Sequence, residues 1–203
     1  MDTSMRFRTR LVLIVLLSLS GAGLGLCATP VDADAQLWRG LAQGHMVALM
    51  RHAGAPGVGD PDTFKLGDCS TQRNLSAAGR DQARAIGTRM RAQGIHDARV
   101  YSSQWCRCLD TARLLDVGDV VPVSSLNSFF ENRADGAAQT AAVRQLIAGG
   151  ADQQADTRPL VLVTHQVNIT ALADIFPSSG EILFVRPNNA DQLEVVGRIR
   201  TGG

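Results

Sequence analysis

Val47–Met50 in "HMVALMRH" and Leu160–Val163 in "RPLVLVTH" are short runs that are apolar without interruption. A strand with one solvated face alternates polar and apolar residues, so a short run with no polar member is expected to be buried on both sides. Such strands need helices above and below the sheet they belong to. Further strands are expected in "ARVYSS", in the weaker "DVVPVSSL", and in "EILFVRP" and "QLEVVGRIR", the last two joined by the turn "NNAD". Helical patterns fall between them. "LSAAGRDQARAIGTRMRAQG" carries Ala78, Ala83, Ile86 and Met90 at helical spacing, with Ser76 as N-cap and Gly94 past its end. "WCRCLDTARLLD", "GAAQTAAVRQLIAGG" (stopped by Gly149 and Gly150) and "VNITALADIF" are expected to be helical too. Strands alternating with helices imply an α/β fold: a three-layer sandwich with a mostly parallel central sheet and helices on both faces.

The start of the chain has a different character. "MRFRTR", then "LVLIVLLSLS", then "GAGLGLCA" follow the order of a secretory signal peptide, expected over residues 1–27, with a single domain over 28–203. The apolar run is short for a bilayer span. Leu26 before Cys27 argues against lipidation, because a small residue is needed there. Removing the signal leaves 17 basic and 18 acidic residues, so the exported, periplasmic form is almost neutral. That balance excludes the strong basic excess of a nucleic-acid binder. The mature chain offers no clear membrane-binding helix, so no stable membrane insertion is expected after signal removal. Aromatic residues make up only 4% of the chain, which leaves the core to Leu, Val, Ile and Ala.

Export gives the cysteines meaning, since an oxidising compartment permits a disulfide. Of Cys69, Cys106 and Cys108, the expected bridge joins Cys69 to Cys106 or to Cys108. It closes a loop of about 40 residues and contributes about 2–4 kcal/mol. The C-x-C pair has no second pair or histidine cluster at ligand spacing, so no metal site is expected.

Three polar features stand where expected strands end: Arg51-His52, Ser102-Ser103 and Thr164-His165. In open parallel sheets ligands bind at that edge. If Arg51, His52, Arg107 and His165 converge there, two guanidinium forks and two imidazoles surround a tetrahedral dianion such as phosphate. A neutral histidine in that setting can attack phosphorus, and the arginines carry the charge that a metal would otherwise carry. No cofactor is expected. The loop "AGAPGVGDPDTFKLGDCSTQRN" is placed to hang over the site. Its Arg73 either contacts substrate or, as expected of a loop arginine, stands exposed, and His45 and His96 elsewhere are expected to be exposed too.

On "LMRHAGAP", "SSQWCRCLDTA" and "VLVTHQVNI" the chain resembles the histidine phosphatase superfamily, which includes the phosphoglycerate mutases. It departs from the family pattern at Ala53, where glycine is commoner, and at Gln104, where proline is common. The resemblance implies a phosphoglycerate mutase-like fold with His52 as nucleophile. Arg51, Arg107 and His165 complete the phosphate pocket. Asn168, one turn past His165, is expected either to contact phosphate or to cap the helix. One branch of the family places its general acid directly after the second histidine, where this chain has Gln166. The other branch places it between the arginine helix and the last helix–strand unit, which points to Glu131.

The expected activity is therefore metal-independent hydrolysis of phosphomonoesters through a phosphohistidine, on a phosphorylated small molecule, a sugar phosphate or an envelope glycolipid head group. Two alternatives stay open. One is a phosphatase of phosphohistidine proteins. The other is a binding protein for phosphate or glycolipid that has lost the chemistry.

Overall fold

The structure is a computed structural model that describes residues 32–151, 156–188 and 192–201. The expected signal segment, 1–27, lies outside the described residues, as does most of the expected turn "NNAD". Among the described residues, five helices and six strands follow in the order α1 (Ala33–Ala42), β1 (Val47–Arg51), α2 (Ala77–Ala92), β2 (Arg99–Ser102), α3 (Cys106–Leu115), β3 (Val120–Pro122), α4 (Gly136–Ala151), β4 (Leu160–Thr164), α5 (Gln166–Ala173), β5 (Ile182–Pro187) and β6 (Leu193–Ile199). Among the described residues no helix is long and apolar enough to cross a membrane.

The strands form one mixed sheet in the order β3-β2-β4-β1-β5-β6. The pairs β1–β4, β2–β4 and β2–β3 are parallel, while β5 runs against both β1 and β6. The apolar runs Val47–Met50 and Leu160–Val163 form the central neighbours β1 and β4, in the register Val47↔Leu160 to Arg51↔Thr164. Strand periodicity then sends alternate side chains to opposite faces. Ala48, Met50, Val161 and Val163 join a core with Leu37, Trp38, Ile86, Met90 and Leu115 from α1, α2 and α3. Val47, Leu49, Leu160 and Leu162 join Val143, Ile147, Ile169 and Leu172 from α4 and α5. This is the expected three-layer α/β sandwich.

Helix α1 was not foreseen. Its signal is nevertheless present: Leu37, Trp38 and Leu41 are buried along one face, and the Asp32 side chain caps the first turn by accepting from the Asp34 N–H. Trp38 meets Phe184 of β5 edge-on at 5.1 Å, so α1 seals the antiparallel end of the sheet. Helix α4 also differs from expectation, because it continues through Gly149 and Gly150 to Ala151. Two glycines weaken a helix near its end without having to stop it. In α2, Ala83, Ile86 and Met90 are buried as expected, whereas Ala78 is exposed.

One glycine is dictated by packing. Gly79 in the first turn of α2 presses against Gly54, just past β1, and a Cβ there would lie 2.0 Å from the Gly54 carbonyl oxygen. Gly149, by contrast, has open space where its Cβ would be. Substitution by alanine is therefore expected to act in opposite directions at the two positions. Gly149→Ala raises the unfolding free energy by about 0.5–1 kcal/mol through helix propensity. Gly79→Ala lowers it by about 1–3 kcal/mol through overpacking. Urea denaturation of the two variants measures both.

Candidate active site

Backbone hydrogen bonds across the sheet bring three strand ends together. The His52 N–H donates to the Thr164 carbonyl, the Ser103 N–H donates to that of Val163, and the Gly180 N–H donates to that of His52. Residues far apart in sequence thus share the C-terminal edge of β2, β4 and β1. Arg107 reaches the same place from the first turn of α3. There the positive end of the helix dipole adds to its own charge. A cleft of about 860 Å³ opens at this edge, lined among others by Arg51, His52, Asp60, Arg73, Arg107, Glu131 and His165.

Most of the partners that aim the arginines are neutral. Arg51 donates to the Pro177 carbonyl (2.9 Å). Arg73 donates from Nε to the Gly59 carbonyl (2.7 Å) and from Nη1 to that of Ala55. Arg107 Nη1 donates to Asp60 Oδ1 at 2.7 Å and to the Arg73 carbonyl at 3.3 Å. Burial and the nearby Arg107 charge lower the pKa values of Arg51 and Arg73. Burial alone would raise that of Asp60. Hydrogen bonds from Arg107, the Arg73 backbone and the Trp105 indole outweigh that effect and hold it below its ordinary value.

Both histidines are buried and both are neutral. Burial, followed by the charge of Arg107, pushes His52 down to about 3 and His165 well below its ordinary value. Their tautomers follow from their partners. His52 Nδ1 lies 2.8 Å from the Ala53 carbonyl, which can only accept, so Nδ1 carries the proton and Nε2 keeps its lone pair. Arg107 Nη2 can only donate to His165 Nδ1 (3.4 Å), so His165 carries its proton on Nε2 and gives it to Ser103 Oγ at 2.8 Å. That hydroxyl in turn donates to Asn127 Oδ1. The two rings stand 5.6 Å apart, steeply inclined to one another. Such a site can grip a tetrahedral dianion between guanidiniums while presenting a nitrogen lone pair to it.

Comparison with known proteins agrees with this geometry. A family model described as the histidine phosphatase superfamily (branch 1) matches residues 47–136. This stretch of the chain is of the histidine phosphatase superfamily. It holds β1, α2, β2 and α3, and with them Arg51, His52 and Arg107. No curated protein matches the sequence significantly. Among solved structures the chain is similar to the protein histidine phosphatase SixA complexed with tungstate, at a TM-score of 0.53 and 17% identity over 76% of this chain and 96% of that one. It is also similar to a mutant phosphoserine phosphatase of Entamoeba histolytica in complex with phosphoserine, at a TM-score of 0.52 and 15% identity over 77% of this chain and 97% of that one. Mycobacterial hydrolase 1 gives a TM-score of 0.53 and 18% identity over 74% of this chain and 95% of that one. At such identities the likeness is one of fold, and the fold is phosphoglycerate mutase-like.

Of the residues expected from the histidine phosphatase resemblance, Arg51, His52, Arg107, His165 and Glu131 all line the one cleft. Asn168 does not line it. Its amide donates to the Asn127 carbonyl (2.9 Å), so it braces the segment that orients Ser103 instead of facing phosphate. Arg73 is half-buried in the site and not exposed, because "GDPDTF" folds back and supplies carbonyl and carboxylate partners. Ser103 stands at the site as its strand-end position led one to expect, whereas Asp60, Trp105 and Asn127 carry no such signal in the sequence. Asp60 is one of several loop acids in the sequence, and only the folded loop distinguishes it. His45 and His96 are exposed as expected.

The disulfide joins Cys69 to Cys106. It ties the loop that carries Asp60 and Arg73 to the residue next to Arg107. Cys108 stays a buried thiol 3.5 Å from His165 Nε2, its pKa pushed up to about 12 by burial, and so remains unreactive. Replacing Cys69 and Cys106 together by serine is expected to lower the unfolding free energy by about 2–4 kcal/mol. Phosphate affinity falls with it, because the loop that holds Arg73 is released. Denaturation and phosphate titration by calorimetry read the two effects.

Proposed function

We propose that this chain is an exported, metal-independent phosphomonoesterase that works through a phosphohistidine on His52. The observation that carries the reading is His52 itself. Its Nδ1 proton is committed to the Ala53 carbonyl, and its Nε2 makes no hydrogen bond among the described residues. The ring lines a cleft with three arginines. In the first step Nε2 forms a bond to phosphorus as the P–O bond to the leaving alcohol breaks, and Glu131 gives that oxygen its proton. Glu131 is exposed at the mouth of the cleft, on the side where a leaving group departs. In the second step Glu131 takes a proton from water, the water oxygen bonds to phosphorus, and the P–N bond breaks to return neutral His52 and phosphate. Arg51, Arg107 and His165 stabilise the charge on the transferring group. The Cys69–Cys106 bridge supports the export reading, since such bonds persist in oxidising compartments. Location by itself admits an envelope glycolipid or a sugar phosphate as well as simpler phosphomonoesters.

The likeness to SixA, described as a protein histidine phosphatase, keeps a second reading in view, because phosphohistidine needs less acid assistance to depart. The two readings separate on Glu131→Gln. For an alkyl phosphomonoesterase the variant loses about 100- to 10,000-fold in turnover of alkyl phosphates, as for a missing general acid, and much less on aryl phosphates. An unchanged rate on alkyl phosphates would remove Glu131 from the mechanism.

His52→Ala is expected to abolish turnover of an aryl phosphate assayed with chelator present. Activity that persists in the variant sinks the phosphohistidine route, and a wild type that binds phosphate without turnover leaves a binding protein. The pH profile follows from the sign of the His52 shift. A folded-state value near 3 keeps the nucleophile deprotonated down to about pH 4. The kcat/KM of the enzyme is therefore expected to show no downward break near 6.5 from protonation of His52, which initial rates across that range will reveal.

A further inference from the structure

The cleft is divided by polarity, and the division describes a leaving group. Its more buried lining holds Arg51, Arg73 and Arg107 with the two histidines, whereas Phe130 and Phe176 are exposed together with Asp62, Glu131 and Asp135, and Phe64 is half-buried. The chain has only six phenylalanines, and three of them lie on this one cleft. Phe176 is 72% exposed and Phe130 40%, although the core takes such side chains at a gain. Phe64 stacks on Trp105 at 4.9 Å, which extends the apolar wall inward to the edge of His165, 5.4 Å from the Trp105 ring. Arg133 lies over the Phe130 ring and does not line the cleft.

Resting on the phosphatase reading above, we infer that the substrate is a phosphomonoester of an apolar alcohol, aromatic or alkyl, that carries no second negative charge. The phosphoryl group sits among the guanidiniums, and the alcohol part extends between Phe64, Phe130 and Phe176. Apolar surface on the alcohol gains contact there and sheds water. A carboxylate or second phosphate on the alcohol meets Asp62 and Asp135, with no cation among the exposed lining residues to receive it, and like charge at short range rejects it. Phe130 and Phe176 thus act as specificity-determining residues, and the acids exclude the wrong partners.

The test compares 2-phenylethyl phosphate, glycerol 3-phosphate and 3-phosphoglycerate, whose leaving groups are all alkoxides of alcohols, so that intrinsic reactivity differs little. The three matching phosphonates, which cannot be hydrolysed, are titrated in parallel. The expected order of kcat/KM is phenylethyl, then glycerol, then glycerate, with about tenfold between neighbours. Phe176→Ala is expected to narrow the first ratio about fivefold, and Asp62→Asn with Asp135→Asn to narrow the second. Equal rates, or glycerate in front, overturn the inference and leave the phosphatase reading standing. If none of the esters is hydrolysed but the phosphonates bind in the same order, the phosphatase reading fails and the selectivity stands. Phosphonates that bind equally, or not at all, overturn it whatever the rates.

Discussion

Everything at this site depends on holding like charges together out of water. Three guanidiniums converge on two histidines in the more buried lining of the cleft, and Asp60 is the one carboxylate that pairs with them there. That leaves an excess of two positive charges, the complement of a phosphate dianion. Without a ligand, such a cluster repels itself, and repulsion in a site of low polarity acts strongly. The protein's answer is visible in the choice of partners. Arg51 and Arg73 are aimed by backbone carbonyls of Pro177, Gly59 and Ala55, which fix direction without cancelling charge. Carboxylates in those positions would have tied the arginines down equally well and left nothing for an anion to neutralise.

The carbonyls must themselves be held, and that explains features that look unrelated to chemistry. Pro177 belongs to a segment pinned by the buried Glu181, whose carboxylate accepts from the Ser178 N–H and from Arg198 Nε at 2.6 Å. The Glu181 carbonyl also accepts from the Arg51 N–H, so one residue fixes both ends of that arginine's setting. Gly59 and Ala55 belong to the long loop after β1. Gln72 anchors this loop by accepting from the Cys106 N–H, and the disulfide one residue from Arg107 anchors it covalently. A loop of irregular conformation that carries two charged site residues needs such ties, since few apolar contacts hold it. Only a small cluster of Ala53, Leu75 and Ala83 is packed where it leaves β1 and where it meets α2.

What could be read from the sequence divides along the same line. The two apolar runs fixed β1 and β4 as central strands, because burial on both faces leaves a mark in composition that no partner can disguise. Strand ends then placed Arg51, His52 and His165, and the family pattern added Arg107 and Glu131. The residues whose roles come from irregular backbone were illegible. Asp60 and Arg73 look like solvated loop charges until "GDPDTF" is seen folded across Arg107. Asn168 was a candidate for phosphate because it stands one turn from His165, and position on a helix does not say which neighbour its amide will find. Helix α1 is weakly marked in the sequence for another reason: its apolar stripe is only Leu37, Trp38 and Leu41, too short to establish a helical period.

The two histidines have the same charge in the free protein but are prepared for different work. His52 has its proton on the nitrogen facing its own backbone, so the other nitrogen keeps a free lone pair, and no proton would have to move before it attacked. His165 is set the opposite way, with its proton given to Ser103 and its Nδ1 lone pair facing Arg107 Nη2. In that state it offers nothing to a phosphate oxygen. A dianion that draws Arg107 Nη2 to itself frees the His165 lone pair, and the same negative charge reverses the electrostatics that had kept the ring neutral. Were Nδ1 to take a proton there, His165 would donate from both nitrogens, one to Ser103 and one to the phosphoryl group. With the site empty, neutral imidazoles limit self-repulsion among the arginines.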